Sequence, residues 1–221
     1  MSATKALKGR WRPELDKHPA AVVVRKHFHR ILDSVDTLAA ERSRLAADNT
    51  LSDIGRAQKL QKVAVEHAGP IAKAMPAIEA GRQAVEKQRV ALTPSVKDKR
   101  DVASAMLRQE IRRTLLDKGP AKAYELASAP DADPIVLEAV FEAPPALSGL
   151  TKEQRAHLLA AVVERTAGPA VAAISDQEEA LALLNSAVRV SAESVRVAAN
   201  VPAGAFEKWL KGNGADRSKG R

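Results

Sequence analysis

Apolar residues recur at alternating steps of four and three along two long stretches of the chain. The first runs Val24, Phe28, Ile31, Val35, Leu38, Arg42, Leu45, with six of seven positions apolar. The second runs Ile54, Ala57, Gln61, Ala64, Ala68, Ile71, Met75, Ile78, Arg82, Val85, Arg89, Leu92, with nine of twelve apolar. Such spacing returns to one face of a helix, so it predicts two helices, each with a single apolar seam. Asp48, Asn49 and Thr50 supply turn and N-cap chemistry between them, and an antiparallel hairpin turning there is the simplest arrangement. Folding about residue 49 sets Val35 against Ala64, Ile31 against Ala68, Phe28 near Ile71 and Val24 near Met75, large against small. A helix over 51–92 would be roughly 60 Å long at 1.5 Å per residue. Gly69-Pro70 and Pro76 predict a kink or break in it, because each proline removes an amide donor and crowds the preceding turn. The seam Val24, Phe28, Ile31, Val35, Leu38, Ile71, Ile78 and Val85 serves either an intramolecular core or an intermolecular coiled coil.

Further along, Ala103, Leu107, Ile111 and Leu115 recur every four residues. They predict a third helix from about Ser95 to Asp117, stopped at Lys118-Gly119-Pro120. Its other face carries Lys97, Lys99, Arg100, Arg108, Arg112 and Arg113, interleaved with Asp98, Asp101 and Glu110, and reads as a solvated surface or a phosphate track. Shorter helices follow at about 120–129 and, capped by Asp133 with Pro134 at its first position, at about 134–142. Thr151 and Gln154 form a capping box for a helix to about Ala167, closed by Gly168-Pro169. Ser175 and Glu178 repeat that pattern before a helix with Leu181, Leu184, Val188, Ser191, Val195 and Ala198 on one stripe. A final short helix holds Phe206, Trp209 and Leu210. Gly-Pro recurs at 69, 119 and 168, but the flanking residues do not align as a repeat. No stretch alternates over a strand length. The expected fold is therefore all-α, a long N-terminal antiparallel hairpin followed by a C-terminal multi-helix bundle. Its expected parts are a basic arm over 1–19, the hairpin over 20–92, the bundle over 93–211 and a disordered basic tail over 212–221.

Composition narrows the functions. At 221 residues and 45% hydrophobic the chain has enough apolar side chains for a packed core, and 3% aromatics with abundant alanine suits close helix packing. The absence of cysteine excludes disulfides, thiolate metal sites and a cysteine nucleophile. The apolar run Ala20 to Val24 is cut off by Arg25 and Lys26, so no cleaved signal peptide is expected, and Leu158 to Val163 is too short a run to span a bilayer. The net charge of +8 is concentrated at the ends: +6 over residues 1–30 and +3 over 207–221, leaving −1 for the interior. Lys5, Lys8, Arg10, Trp11 and Arg12 in the arm, with Lys208, Lys211, Arg217 and Lys219 at the other end, are candidate contacts to nucleic acid or an acidic protein. Trp11 would stack on a base, anchor in a partner groove, or dock on the protein's own helices.

Catalytic patterns are scarce. The chain has no Gly-rich phosphate loop, no Gly-x-Ser-x-Gly elbow and no His-Glu-x-x-His pair. His27 and His29 lie about 200° apart on a helix and cannot share one ion. Asp131-Ala132-Asp133 is explained as turn plus N-cap, and the adjacent Glu178 and Glu179 point differently. No enzyme, cofactor, metal or small-molecule substrate is expected.

Residues Ser191 to Leu210 resemble the helix-turn-helix of bacterial DNA-binding domains, with Val195 and Ala199 in the first helix, Asn200 at the turn, and Val201, Phe206 and Trp209 on the buried side of the second. The resemblance implies that Ala203, Gly204, Glu207, Lys208 and Lys211 face a major groove. The same residues also suit a helical corner that packs Phe206 and Trp209 into a core. Over Asp101 to Leu150, the segments Leu107 to Arg112, Asp133 to Pro144 and Ala146 to Leu150 look like small helical proteins of tailed-bacteriophage structural modules. That likeness implies a virion or assembly component, found in the host cytoplasm or the virion. It would act through protein partners or copies of itself, with its basic ends on nucleic acid or acidic protein, and without a membrane. The alternative is a helix-turn-helix DNA-binding protein that dimerises through its hairpin.

Overall fold

The structure is a computed structural model that describes residues 3–92 and 101–214. Among these residues it is all-α, with no strand. In chain order the helices are α1 (Ala3–Lys8), α2 (Pro19–Ala47), α3 (Asp53–Leu92), α4 (Val102–Ser128), α5 (Pro134–Glu142), α6 (Lys152–Ala198) and α7 (Phe206–Gly214), with 3-10 turns at Pro13–Lys17, Pro145–Leu147 and Ala203–Ala205. Two compact units emerge: Met1–Val85 with Ser175–Arg221, and Glu86–Ile174. The division differs from the expected break after residue 92. The boundaries fall inside α3 and α6, and the second half of α6 and α7 join the hairpin because their apolar stripe completes its core.

In the first unit the α2 seam is buried as its period dictates: Val24, Phe28, Ile31, Val35, Leu38 and Leu45, with Ala21 and Leu32 beside them. On α3 the buried positions are Ala64, Ala68, Ile71, Ala74, Ile78 and Val85. Three expected apolar members fail. Ile54, Ala57 and Met75 are exposed, and Ala74 takes the inner position. Register accounts for part of this. A fold about residue 49 puts Ser34 opposite residue 65, whereas Ser34 Oγ lies 2.6 Å from His67 Nδ1. The connection is longer than expected, since Thr50 is tied back to Asp48 Oδ1 through its amide at 2.9 Å, and Ser52 Oγ, rather than Thr50, accepts the Gly55 amide at 3.1 Å to start α3.

Of the kink or break predicted at Gly69-Pro70 and Pro76, the break does not occur; both prolines sit inside the continuous α3. Each forfeits one helical hydrogen bond, and burial of Ala68, Ile71, Ala74 and Ile78 along the helix offsets that loss. Leu38, Ala64, Ala68 and Ile71 pack with Val195, Ala198, Ala199, Val201 and Leu210, so α6 and α7 close the seam. Gly81 is the close approach of the unit: a Cβ there would lie 2.6 Å from Leu181 Cδ2. The expected intermolecular use of Val24, Phe28, Ile31, Val35, Leu38, Ile71, Ile78 and Val85 is thereby corrected. All are at most 9% exposed and are already covered by this chain.

The second unit departs further from its apolar pattern. The start expected at Ser95 for the third helix lies outside the described residues, as do Lys97, Lys99 and Arg100; α4 begins after Asp101, whose side chain accepts the Ser104 amide at 3.1 Å. At Gly119 (φ 77°, ψ 163°) the helix is interrupted, as Lys118-Gly119-Pro120 predicts, and it resumes to Ser128. Leu115 is buried, but Ala103 and Leu107 are exposed while Arg108, expected on the polar face, is 2% exposed. Arg108 Nε donates to Glu142 Oε2 at 3.0 Å and Arg112 Nη1 reaches the same oxygen at 2.8 Å, with Glu138 Oε2 3.5 Å from Arg108 Nη1. Burial pushes the Glu142 carboxyl up, yet the hydrogen bonds from Arg112 and Arg108 outweigh it and leave the group below its usual range.

Asp133 caps α5, accepting the Ile135 amide at 2.9 Å, with Pro134 first in the helix. The capping box of α6 is reciprocal, Thr151 amide to Gln154 Oε1 at 3.0 Å and Gln154 amide to Thr151 Oγ1 at 3.2 Å. At Ala167 (φ −141°, ψ 27°) the backbone leaves helical geometry, so α6 is interrupted by a kink where Gly168-Pro169 predicts its end. It resumes at once and runs on through Ser175, whose cap is not used. Counted as one helix rather than by its longest unbroken apolar run, α6 is long and apolar enough by length and composition to cross a membrane, and 17% of its most apolar 18-residue window is buried.

Candidate functional site

The N-terminal arm is folded and attached. Helix α1 and the 3-10 turn replace the expected irregular chain because acidic groups on α2 meet its cations. Thr4 Oγ1 donates to Asp36 Oδ1 at 2.6 Å, and Lys8 Nζ donates to Asp33 Oδ1 and Asp36 Oδ2 at 2.8 and 2.9 Å. The Lys8 ammonium is held above its ordinary pKa by Asp33 and then Asp36, and the Asp36 carboxyl is held below its own by Thr4 and then Lys8. Trp11 lies on Phe28, ring centroids 5.1 Å apart, and 6.3 Å from His29. Its Nε1 donates to Asp16 Oδ1 at 3.1 Å, and Asp16 Oδ2 accepts from Arg25 at 2.7 Å. Arg12 is bidentate on Glu179, with His18 Nε2 3.4 Å from the neighbouring Asp176. Leu15 is fully buried beneath this segment.

These contacts sort the candidate cations. Lys8 and Arg12 are engaged within the chain, and Trp11 docks on the protein's own helix. Lys5 and Arg10 are exposed. Arg10 follows α1 next to the docked Trp11, Lys17 ends the 3-10 turn next to Asp16, and Lys26 and Arg30, four residues apart, share one face of α2. Arg10, Lys17, Lys26 and Arg30 are all exposed, and none forms an ion pair among the described residues. Lys17, Lys26 and Arg30 are the functional candidates that the sequence pattern did not single out. The charge count over residues 1–30 contains them, but a helix with so regular a seam is read first for its core.

At the other end, α6 finishes in a Schellman motif. Val201 N donates to Arg196 O at 3.1 Å and Asn200 N to Val197 O at 3.2 Å, with Asn200 at φ 53° in the left-handed region. Asparagine tolerates that conformation because its short polar side chain bonds locally. Arg196 Nη1 secures the corner by donating to Val201 O at 3.1 Å. Phe206 and Trp209 stack 5.6 Å apart and pack against the core cluster of Val195, Ala199, Val201 and Leu210. Ala203, Gly204, Glu207, Lys208 and Lys211 are exposed, and Lys211 Nζ pairs with Glu207 at 2.8 Å. Arg217 and Lys219 lie outside the described residues. No group of three or more His, Asp or Glu side chains that would hold a metal occurs among the described residues. No protein-family model, curated protein or solved structure matches this chain.

Proposed function

We propose that the protein is a non-enzymatic helical assembly component that works through its surfaces, with the arm and the outer face of α2 forming a site for a polyanion, a nucleic-acid backbone above all. The single observation behind this reading is the set Arg10, Lys17, Lys26 and Arg30, exposed and without ion pairs among the described residues, on a segment where Lys8, Arg12 and Arg25 are paired internally. Phosphates gain most from such groups, because no internal bond has to break and bound counterions are released. The setting in a tailed-bacteriophage particle or its assembly is part of the proposal and rests on the likeness of residues 101–150. Duplex and single-stranded DNA titrations over a salt series test the site. Four phosphate contacts give a slope of about −3 to −4 in log affinity against log salt. Reversing all four charges to Glu is expected to weaken binding at least about tenfold with the helical signal retained; unchanged binding would sink the proposal.

A second reading, DNA recognition by the α6–α7 corner, is favoured by the Asn200 turn and the exposed face of Lys208 and Lys211. Truncation before residue 191 is an unsuitable test, since it removes Val195, Ala198 and Leu210 from the core. Charge reversal of Lys208 and Lys211 is the cleaner one: this reading requires binding to fall there and to persist when the arm–α2 cations are reversed.

A further inference from the structure

Helices α2, α3 and α6 leave an apolar groove of about 310 Å³ at one end of the first unit. Its walls are Ala20, Val23 and Val24 of α2 and Ala77, Ala80 and Ala84 of α3, with Leu181 of α6 also lining it. Alanines at successive turns keep it shallow and open, and Val23 is left 53% exposed. Burying such a surface removes apolar area from water and is favourable, so it is a ready seat for apolar side chains. Charge at its edge says what kind of partner brings them. Arg30 lies seven residues beyond Val23, and Lys73 four residues before Ala77, each on the same helical face as the wall residue it follows or precedes. Both are exposed and neither has an ion pair among the described residues. The acids on the α6 side are engaged already: Asp176 faces His18 and Arg12, and Glu179 is held by Arg12.

From this complementarity we infer that the groove docks an acidic amphipathic helix of a protein partner, its apolar side chains between α2 and α3 and its carboxylates on Arg30 and Lys73. This rests on the reading of the protein as one that acts by surface contacts, and names the partner chemistry of a second surface. Helix-in-groove recognition of this kind needs anchors at i, i+3 or i+4 and i+7.

The test is selection of a random 16-residue peptide library on the full chain, followed by affinity measurement of enriched peptides. The expected result is enrichment of sequences with that apolar spacing and two or more Asp or Glu. Binding should fall at least tenfold on Ala80→Trp, which fills the groove without adding charge, and on the pair Arg30→Glu and Lys73→Glu. Helical content and melting temperature report that the variants are folded. Enrichment of basic or neutral peptides, no enrichment, or binding indifferent to Ala80→Trp overturns the inference. The pair Arg10→Glu and Lys17→Glu separates the two surfaces: it should weaken DNA binding and leave peptide binding unchanged, and loss of peptide binding there would overturn the groove assignment.

Discussion

The two compact units are built from the same kind of helix, yet they bury different things. In the first unit the interior of the hairpin is apolar and follows the period of the sequence, large side chains on α2 facing several alanines on α3. The interior of the second unit includes a guanidinium, Arg108, at 2% exposure beside Glu142 and Glu138, and depends on glycines in left-handed conformations at 119 and 149. The contrast teaches where a periodic pattern suffices. Apolar side chains are buried wherever the seam places them, whereas a charge is buried only where partners from another helix happen to meet it.

The largest expected effect breaks the first unit. Phe28→Ala, at a fully buried position under Trp11, should cost about 3–5 kcal/mol in urea unfolding. A loss below about 1 kcal/mol would mean the seam is not the core. Arg108→Ala comes next, at about 2–3 kcal/mol, less than for a fully buried pair because the Glu138 and Glu142 side chains are 26% and 36% exposed and still reach water. Arg108→Met keeps the stem packing, so it should cost less than Arg108→Ala. The reverse order would show that packing contributes little here.

The glycines offer a graded comparison. Gly149→Ala should cost about 2 kcal/mol, since φ is 75° and the new Cβ would lie 2.9 Å from Leu115 Cβ and 3.0 Å from its backbone carbon. Gly119→Ala shares the positive φ but meets nothing within 4 Å, and about 1 kcal/mol is expected. Equal costs would remove the packing role assigned to Gly149.

A smaller, pH-dependent effect belongs to the first unit. Burial lowers the pKa of His67 from its usual 6.5, against the opposing pull of Glu66 and Glu41. The unfolded chain then binds a proton before the folded one does. Stability is therefore full above about pH 6.5, falls as pH drops below it, and levels off once His67 itself is protonated. His67→Gln should flatten this part of a melting-temperature profile, and an unchanged profile would exclude His67 as its source. The smallest change is Ser191→Ala. Ser191 Oγ is buried without a hydrogen-bond partner among the described residues, so its removal is expected to be neutral or to add up to about 1 kcal/mol; a clear loss of stability would show that the hydroxyl has a partner.

Much of the local structure was legible in the chain. The Asp133-Pro134 start, the Thr151–Gln154 capping box, the Gly119 interruption and the Asn200 corner all appear where those residues stand, because each acts on amides within a few positions of itself. The candidate surface was only half legible. Net charge placed cations at the N-terminus, but which of them remain available follows from Asp33, Asp36 and Glu179, up to 167 residues away in sequence.

By itself, then, the sequence determined the helical class, most of the caps and turns, and the buried stripe of α2. Tertiary structure decided the rest: that the seam is closed by α6 and α7 within one chain, that Pro70 and Pro76 remain inside a helix, that Arg108 is interior, and that Lys8 and Arg12 are engaged while Arg10, Lys17, Lys26 and Arg30 have no ion pair among the described residues. The physical reason is range. Caps and periods act within a turn or two of the backbone, but the balance between desolvating a charge and pairing it depends on which distant side chain arrives beside it.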